Sequence, residues 1–162
     1  MKSIFLALCL LPLLAGSAFA KDIKIPSDDP IASVTLPAGW TSEETDNGIS
    51  CQSEDGAATI VFDVADAKNF DALIQDNVKY LNEQKVTIDK SSEKEREFEA
   101  AGMKWSAVEY SGNDEYGPEH IQLMAADIKP GKVLMITYWV TQKAEAGYAD
   151  EILALLGSLK KL

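Results

Sequence analysis

Apolar and polar residues alternate with a period of two over much of this chain, which is the pattern of half-buried β-strands. In the segment 57–65, Ile60, Phe62 and Val64 make one face more apolar than the other. Together with the turn residues, the pattern predicts strands at 31–36, 48–54, 57–65, 86–91, 93–100, 103–111, 120–128 and 133–141. The last strand is apolar on both faces, so we expect it at the centre of a sheet that is covered on both sides.

Two segments have helical spacing instead. The segment 69–84 is predicted to be an amphipathic helix that lies on the sheet. Its apolar positions are Phe70, Leu73, Ile74, Val78 and Leu81. A second helix is predicted at 148–160, with acidic residues near its start and Lys160 and Lys161 at its end, in agreement with the helix dipole.

Turn residues indicate how the strands are connected. Asp55 and Gly56 are a strong two-residue hairpin signal between two predicted strands. Residues 111–119 are rich in Gly, Asn and Asp and are predicted to form a loop. Residues 93–100 carry charges of both signs, which is typical of an exposed edge strand. Antiparallel strands with two main helices predict an α+β fold with a largely antiparallel β-sheet.

Residues 1–20 have the composition of a secretory signal peptide. Lys2 supplies a short basic region, residues 4–15 form an apolar run that is short for a membrane span, and Ala18 and Ala20 are the small residues of a cleavage site. We therefore expect export to a bacterial periplasm, with cleavage after Ala20.

Cys9 raises the alternative of a lipid-anchored product. It lies in the middle of the apolar run, so cleavage before it would leave a leader too short to act as a signal. Residues 21–30 follow the leader and are predicted to be an N-terminal arm without regular structure, because Pro and Asp are frequent there. A single domain is predicted at 31–162.

The charge of the chain limits its partners. The 162 residues carry a net charge of −11, and removal of the leader, which contains Lys2 and no acidic residue, leaves 142 residues with a net charge of −12. A field of this sign repels nucleic acid and anionic lipid. It favours solubility and either a basic partner or none. After cleavage Cys51 is the single cysteine, so no internal disulfide is possible, and we expect it to be a buried strand residue.

The sequence contains no recognisable catalytic motif. His120 is the single histidine, no nucleophile elbow or phosphate-binding glycine loop is present, and one His with one distant Cys does not supply a zinc site. The acidic segment 113–115 with Glu119 and His120 could collect a hard cation, but it lacks the order of a calcium-binding loop. We therefore predict no enzyme activity and no cofactor.

Aromatic residues suggest a core and one interaction anchor. Trp40, Trp105 and Trp139 lie in or beside predicted strands, which favours core packing over a ligand groove. Tyr116 lies in the predicted loop with little apolar sequence around it, and an exposed aromatic there is a candidate protein-binding anchor. The predicted protein-binding residues are Tyr116, Asp114, Glu115 and Glu119.

The order of motifs resembles a known superfamily. Residues 36–40 (LPAGW), 53–56 (SEDG), the strand 102–110 with its G-x-x-W-x-x-x-x-Y pattern and the closing helix 152–159 are similar to the Mog1/PsbP-like superfamily, including bacterial DcrB-type proteins. The resemblance implies an α/β/α sandwich that acts by binding: Mog1 proteins bind a small GTPase, PsbP assists the photosynthetic oxygen-evolving complex, and some bacterial members chaperone secreted effectors.

Two classes of function follow. The first is a small exported binding or accessory protein that acts through protein contacts, for instance an immunity-type inhibitor of a delivered toxin. The alternative is a small-ligand or lipid carrier, or a hydrolase, with its site between sheet and helix. A continuous apolar pocket would favour a carrier, whereas a solid core with an exposed patch around Tyr116 would favour a protein binder.

Overall fold

A computed structural model describes residues 21–162, so the predicted leader and its cleavage site, residues 1–20, lie outside the described residues. The described strands are β1 (Lys21–Ile25), β2 (Ala32–Leu36), β3 (Thr41–Glu44), β4 (Gly48–Gln52), β5 (Ala58–Asp66), β6 (Thr87–Ala100), β7 (Met103–Asp114), β8 (Gly117–Lys129), β9 (Lys132–Thr141) and β10 (Lys160–Lys161). The helices are α1 (Phe70–Glu83) and α2 (Glu145–Gly157).

Seven strands form one antiparallel sheet in the order β3-β4-β5-β9-β8-β7-β6. The mostly apolar strand β9 lies in the middle, and its residues from Val133 to Val140 are buried, which confirms the expectation of a central, covered strand. The hairpin β4–β5 forms about Asp55 and Gly56 as predicted, and Gly56 takes a positive φ of 73° there. The α+β fold class is confirmed.

A second, three-stranded sheet of order β1-β2-β10 packs with α2 on one face of the large sheet. The main hydrophobic core fills the space between these layers. Ile25, Val34, Phe62, Ile136 and Leu155 are among its fully buried members. Trp40 and Trp105 belong to the same core, and Trp139 is buried on the other face, so the predicted core role of the tryptophans is confirmed.

Helix α1 lies on the opposite face of the large sheet. Its Leu81 packs with Val61, Ile121 and Trp139 of β5, β8 and β9 in a smaller core. The helical spacing of apolar residues therefore predicted this element correctly. The buried face of α1 is narrower than the spacing suggested. Leu73 and Leu81 are buried, whereas residues 70, 74 and 78 are only partly covered.

The expectation of an irregular N-terminal arm is wrong for residues 21–25. Ile23 and Ile25 alternate with polar neighbours, and both are buried because β1 pairs antiparallel with β2. The turn-forming residues around 26–30 connect the two strands. The Pro and Asp content of the segment therefore marks a turn between strands and not an arm.

The expectation of a loop at 111–119 is also wrong. Strands β7 and β8 pair up to Asp114 and from Gly117, so the connection is a two-residue turn of Glu115 and Tyr116. The Asp114 Oδ1 accepts hydrogen bonds from the backbone N–H groups of Tyr116 and Gly117, at 2.6 and 3.0 Å, which closes the turn. Polar residues that suggest a loop here pair across strands.

The last helix and the edge strand also differ from prediction. Helix α2 covers Glu145–Gly157, and Lys160 and Lys161 form β10, which pairs with β2 instead of ending the helix. The two strands predicted at 86–91 and 93–100 form one strand, β6, with a register shift between Asp89 and Lys94. β6 is an edge strand, as expected.

Candidate functional site

An open groove lies beside α1 on the large sheet. Helix α1 covers β5 and β9 and, through Leu81, the Ile121 end of β8. The rest of the same face of β8, and that of β7 and β6, has no layer over it among the described residues. The groove has a volume of about 860 Å³. We call it the α1–β6 groove, and its apolar floor consists of Val108, Leu123, Ala125, Val133 and Met135, with Phe70 and Ile74 of α1 along one side.

The period of β-strands brings these floor residues together. Val108 of β7 lies opposite Leu123 of β8, and Ala125 of β8 lies opposite Met135 of β9. Directly opposed residues of antiparallel strands point to the same face, so the three strands build one continuous apolar surface. Val108 and Leu123 are only half-buried, because α1 does not reach over them.

The other side of the groove is acidic. Glu93, Glu95, Glu97 and Glu99 alternate along β6, so their side chains share one face, and we call them the glutamate ladder. Glu95 lies opposite Val108, which places the ladder on the face of the apolar floor. Among the described residues no cation lies within ion-pair distance of residues 95, 97 and 99. The sequence predicted the edge strand but not this alignment of charge with an apolar floor.

Tyr110 limits the groove at one end. Its hydroxyl donates a hydrogen bond to Glu93 Oε2 at 2.7 Å. Burial and the neighbouring Glu93 carboxylate raise the pKa of Tyr110 to about 12, so the phenol stays neutral. It therefore acts as a fixed hydrogen-bonding wall of the groove.

The predicted binding residues at the β7–β8 turn are brought together only in part. Tyr116 is 79% exposed at the tip of the turn. Glu115 pairs with Lys85 at 3.2 Å between Oε1 and Nζ, and Asp114 is used to close the turn. Glu119 is buried beneath the turn with 1% exposure, so it cannot belong to an acidic ring on the surface around Tyr116.

No family profile matches the sequence, and no curated protein sequence matches it significantly. The structure is similar to cyanobacterial PsbP (CyanoP) from Synechocystis sp. PCC 6803, with a TM-score of 0.60 and 9% identity over 91% of this chain and 95% of that chain. The chain has the Mog1/PsbP-like fold.

Two further solved structures extend this comparison. The chain is also similar to LpqN of Mycobacterium tuberculosis, described as involved in cell envelope biogenesis, with a TM-score of 0.56 and 12% identity over 88% of this chain and 91% of that chain. The Saccharomyces cerevisiae Ran-binding protein Mog1p has a TM-score of 0.48 and 12% identity over 88% and 95% of the two chains. Identities this low concern the fold alone, and the DcrB-type resemblance stays a prediction.

Glu119 is a buried acidic residue with unusual surroundings. Neither of its carboxylate oxygens has a hydrogen-bond partner among the described residues. Burial, and secondly the negative charge of Asp114, raise the pKa of Glu119 to about 8. The side chain is therefore mostly protonated at neutral pH, which lowers the cost of burying it.

His120 and Cys51 both lie where they contribute to the fold. The Nδ1 of His120 lies 2.5 Å from Glu145 Oε1, which joins β8 to α2 on the face opposite the α1–β6 groove. Cys51 is fully buried, and burial raises its pKa to about 12.

Within residues 21–162 no group of three or more His, Cys, Asp or Glu side chains is placed to hold a metal ion. In the same part of the chain no helix is long and apolar enough to cross a membrane.

Asp63 has a different environment from the one expected. A polar residue near the end of a strand is usually exposed, but Asp63 is buried and accepts hydrogen bonds from Asn77 Nδ2 at 3.1 Å and Thr45 Oγ1 at 3.3 Å. Asp66 pairs with Lys132 at 2.8 Å. The sequence signal for the buried site was Asn77, which shares the apolar helix face of Leu73 and Leu81.

Proposed function

We propose that this chain is an exported, non-enzymatic accessory protein that holds a partner protein in the α1–β6 groove. The observation that carries the proposal is the apolar floor of the groove. Val108 of β7 and Leu123 and Ala125 of β8 are only half-buried beside α1, and the buried Val133 and Met135 of β9 lie next to them. Contiguous apolar surface that is open to solvent is typical of interaction sites. An immunity-type inhibitor that blocks a delivered toxin is one form of such a protein.

The shape of the groove favours a polypeptide over an enclosed small molecule. Its volume of about 860 Å³ is within the range of ligand pockets, but the groove is open along β6. A small ligand bound there would keep much of its surface in water, whereas a segment of a protein could cover the floor and continue beyond it. The exposed Tyr116 turn is a second contact that we propose for the same partner.

A carrier of small ligands or lipids is the alternative, because the same apolar floor could hold an acyl chain. The glutamate ladder opposes an anionic lipid headgroup, so this alternative requires a neutral or cationic ligand. A hydrolase is less compatible with the groove, since the single histidine, His120, lies on the other face of the sheet. Native mass spectrometry of protein from the periplasm separates the cases: a bound small mass supports the carrier.

The proposal is tested by photo-crosslinking in the native host. A photoreactive amino acid is placed at Leu123 in the groove, at Tyr116 on the turn, and at the exposed Glu44 of the opposite edge strand as a control. We expect a defined protein adduct from Leu123 and none from Glu44. Adducts from Tyr116 without any from Leu123 would move the binding site to the turn, and no adduct at either would contradict protein binding.

Export is tested separately by the intact mass of the protein from the periplasm. Cleavage after Ala20 would give a chain that begins at Lys21 and carries no lipid. A diacylated product that begins at Cys9 would contradict this expectation and anchor the protein to a membrane.

A further inference from the structure

We propose that the occupant of the α1–β6 groove is a basic amphipathic helix of the partner protein, with its apolar face on the floor and its basic residues toward β6. This inference rests on the proposed function and names the chemistry of the partner. Width, length and charge of the groove each support it.

The width fits one helix. Between β9, which α1 covers, and the edge strand β6 there are three inter-strand spacings, because the order is β9-β8-β7-β6. At about 4.8 Å per spacing this is about 14 Å. An α-helix with its side chains is about 10–12 Å across. The large sheet therefore has room for one more helix beside α1, and no helix of residues 21–162 fills it, since α2 lies on the opposite face.

The length of the glutamate ladder defines how much of that helix is contacted. From Glu93 to Glu99 the strand rises about 20 Å, at about 3.4 Å per residue. A helix of about 14 residues has the same length, at about 1.5 Å per residue. The partner segment is therefore an ordinary helix of about four turns and needs no extended conformation.

The charge of the groove selects a basic helix. The groove is lined by one basic residue, Lys104, and by five acidic residues, which are Asp127 and the four glutamates of the ladder. The partner's apolar stripe would cover Val108 and Leu123, and Lys or Arg at the border of that stripe would reach the ladder, since these side chains are long and flexible. Charges at the rim of an interface influence partner specificity and the association rate more than they influence the affinity.

Other occupants from this chain fit less well. A second copy carries the same excess of acidic residues, and the charges would repel each other. The predicted leader, residues 1–20, is apolar but contains Lys2 as its single charge. It could therefore cover the apolar floor but could not balance the negative charge of the glutamate ladder.

The test uses synthetic helices and the exported protein. Three peptides of about 14 residues are compared: a Leu/Lys peptide with apolar residues at helical spacing, the same pattern with Glu for Lys, and a Leu/Lys peptide of scrambled order. Binding is measured at physiological salt, and NMR shifts locate the site. The variants are Glu95→Lys with Glu97→Lys, and, as a matched control on the opposite edge strand, Glu43→Lys with Glu44→Lys.

We expect the patterned basic peptide to bind at least about tenfold more tightly than the scrambled one, and the ladder variant to weaken it by about tenfold. The control variant should change the affinity by less than about threefold. All four positions are exposed, so the variants should fold, and circular dichroism checks this. The neutral pair Glu95→Gln with Glu97→Gln should give an intermediate loss.

Equal binding of the scrambled peptide, or an equal loss in the control variant, would show attraction by net charge alone and overturn the inference. Preference for the acidic peptide, or absence of binding, would also overturn it. In each of these cases a cross-link from Leu123 in cells would leave the proposed function standing. Absence of both the cross-link and the peptide binding would overturn both.

Discussion

Asn77 of α1 donates a hydrogen bond from Nδ2 to Oδ2 of Asp63 in β5, at 3.1 Å, and both side chains are buried. The Oδ1 of Asn77 accepts a hydrogen bond from the hydroxyl of Thr137 in β9, at 2.5 Å. One amide thus joins the helix to two strands of the large sheet. This joint fixes the helix over β5 and β9, and thereby leaves the floor of the α1–β6 groove open.

Asn77→Ala should destabilise the protein by about 1–3 kcal/mol, because it leaves the carboxylate of Asp63 and the hydroxyl of Thr137 buried with fewer partners. Chemical denaturation gives the free energy of unfolding. Asn82→Ala, at an exposed position of the same helix, is the control and should change it by less than about 0.5 kcal/mol. Equal effects of the two substitutions would mean that the buried bonds contribute nothing beyond helix propensity.

Stability should fall as the pH rises toward 8, because of Glu119. Its pKa is raised from 4.5 to about 8 in the folded protein, so the folded state keeps a proton that the unfolded state loses at lower pH. The contribution is complete below pH 4.5 and is lost as the pH rises through about 8. Glu119→Gln should therefore make the free energy of unfolding flatter across this range, by up to about 5 kcal/mol, because each unit of pKa shift corresponds to about 1.4 kcal/mol.

The measurement is denaturant unfolding of both proteins at several pH values. Burial also raises the pKa of Asp63, but this residue is present in both proteins, so its effect cancels in the comparison. Parallel pH curves for the two proteins would show that the carboxyl group of Glu119 is already ionised in the folded state.

The thiol of Cys51 should react far more slowly in the native protein than in denatured protein. It is fully buried in β4, and its pKa of about 12 leaves little thiolate at neutral pH. Labelling with a thiol reagent followed by mass spectrometry gives both rates. Asn82→Cys adds an exposed thiol to the same protein as an internal control. Labelling of Cys51 as fast as that of residue 82 would show that the Cys51 thiol is accessible and contradict its burial.

Tyr116→Ala should leave thermal stability nearly unchanged, since the side chain is 79% exposed at the tip of the β7–β8 turn. If the turn contacts the partner, the free energy of binding should weaken by about 1–3 kcal/mol. Calorimetry with the purified partner protein, once cross-linking has identified it, measures this change. Tyr110→Phe is a useful comparison, because it removes the hydroxyl that bonds Glu93 in the groove. A large loss of stability with intact binding would make Tyr116 a packing residue.

Local patterns were sufficient for some elements and not for others. The helical spacing of Leu73 and Leu81 predicted α1, and the apolar content of β9 predicted its central place. The segment 111–119 was predicted wrongly, because polar residues and glycines suit both a loop and a paired strand. The β7–β8 pairing decides between them, and a strand partner is not visible in the local sequence.

The same limit of local patterns applies to the predicted protein-binding residues. The sequence placed Asp114, Glu115 and Tyr116 near each other because they are adjacent in the chain. It also grouped Glu119 with them, but a strand turns alternate side chains to opposite faces and into different surroundings, and Glu119 is buried beneath the turn. Lys160 and Lys161 show the same limit, since pairing with β2 overrides their fit to a helix end.

The sequence by itself determined the period of each element, the excess of acidic charge and the row of glutamates along β6, because these depend only on the order of neighbouring residues. The tertiary structure alone decided that this row borders an uncovered apolar floor. That arrangement depends on where α1 lies across the sheet. Contacts between residues that are distant in sequence, such as those of Asn77 with Asp63 and Thr137, fix this position.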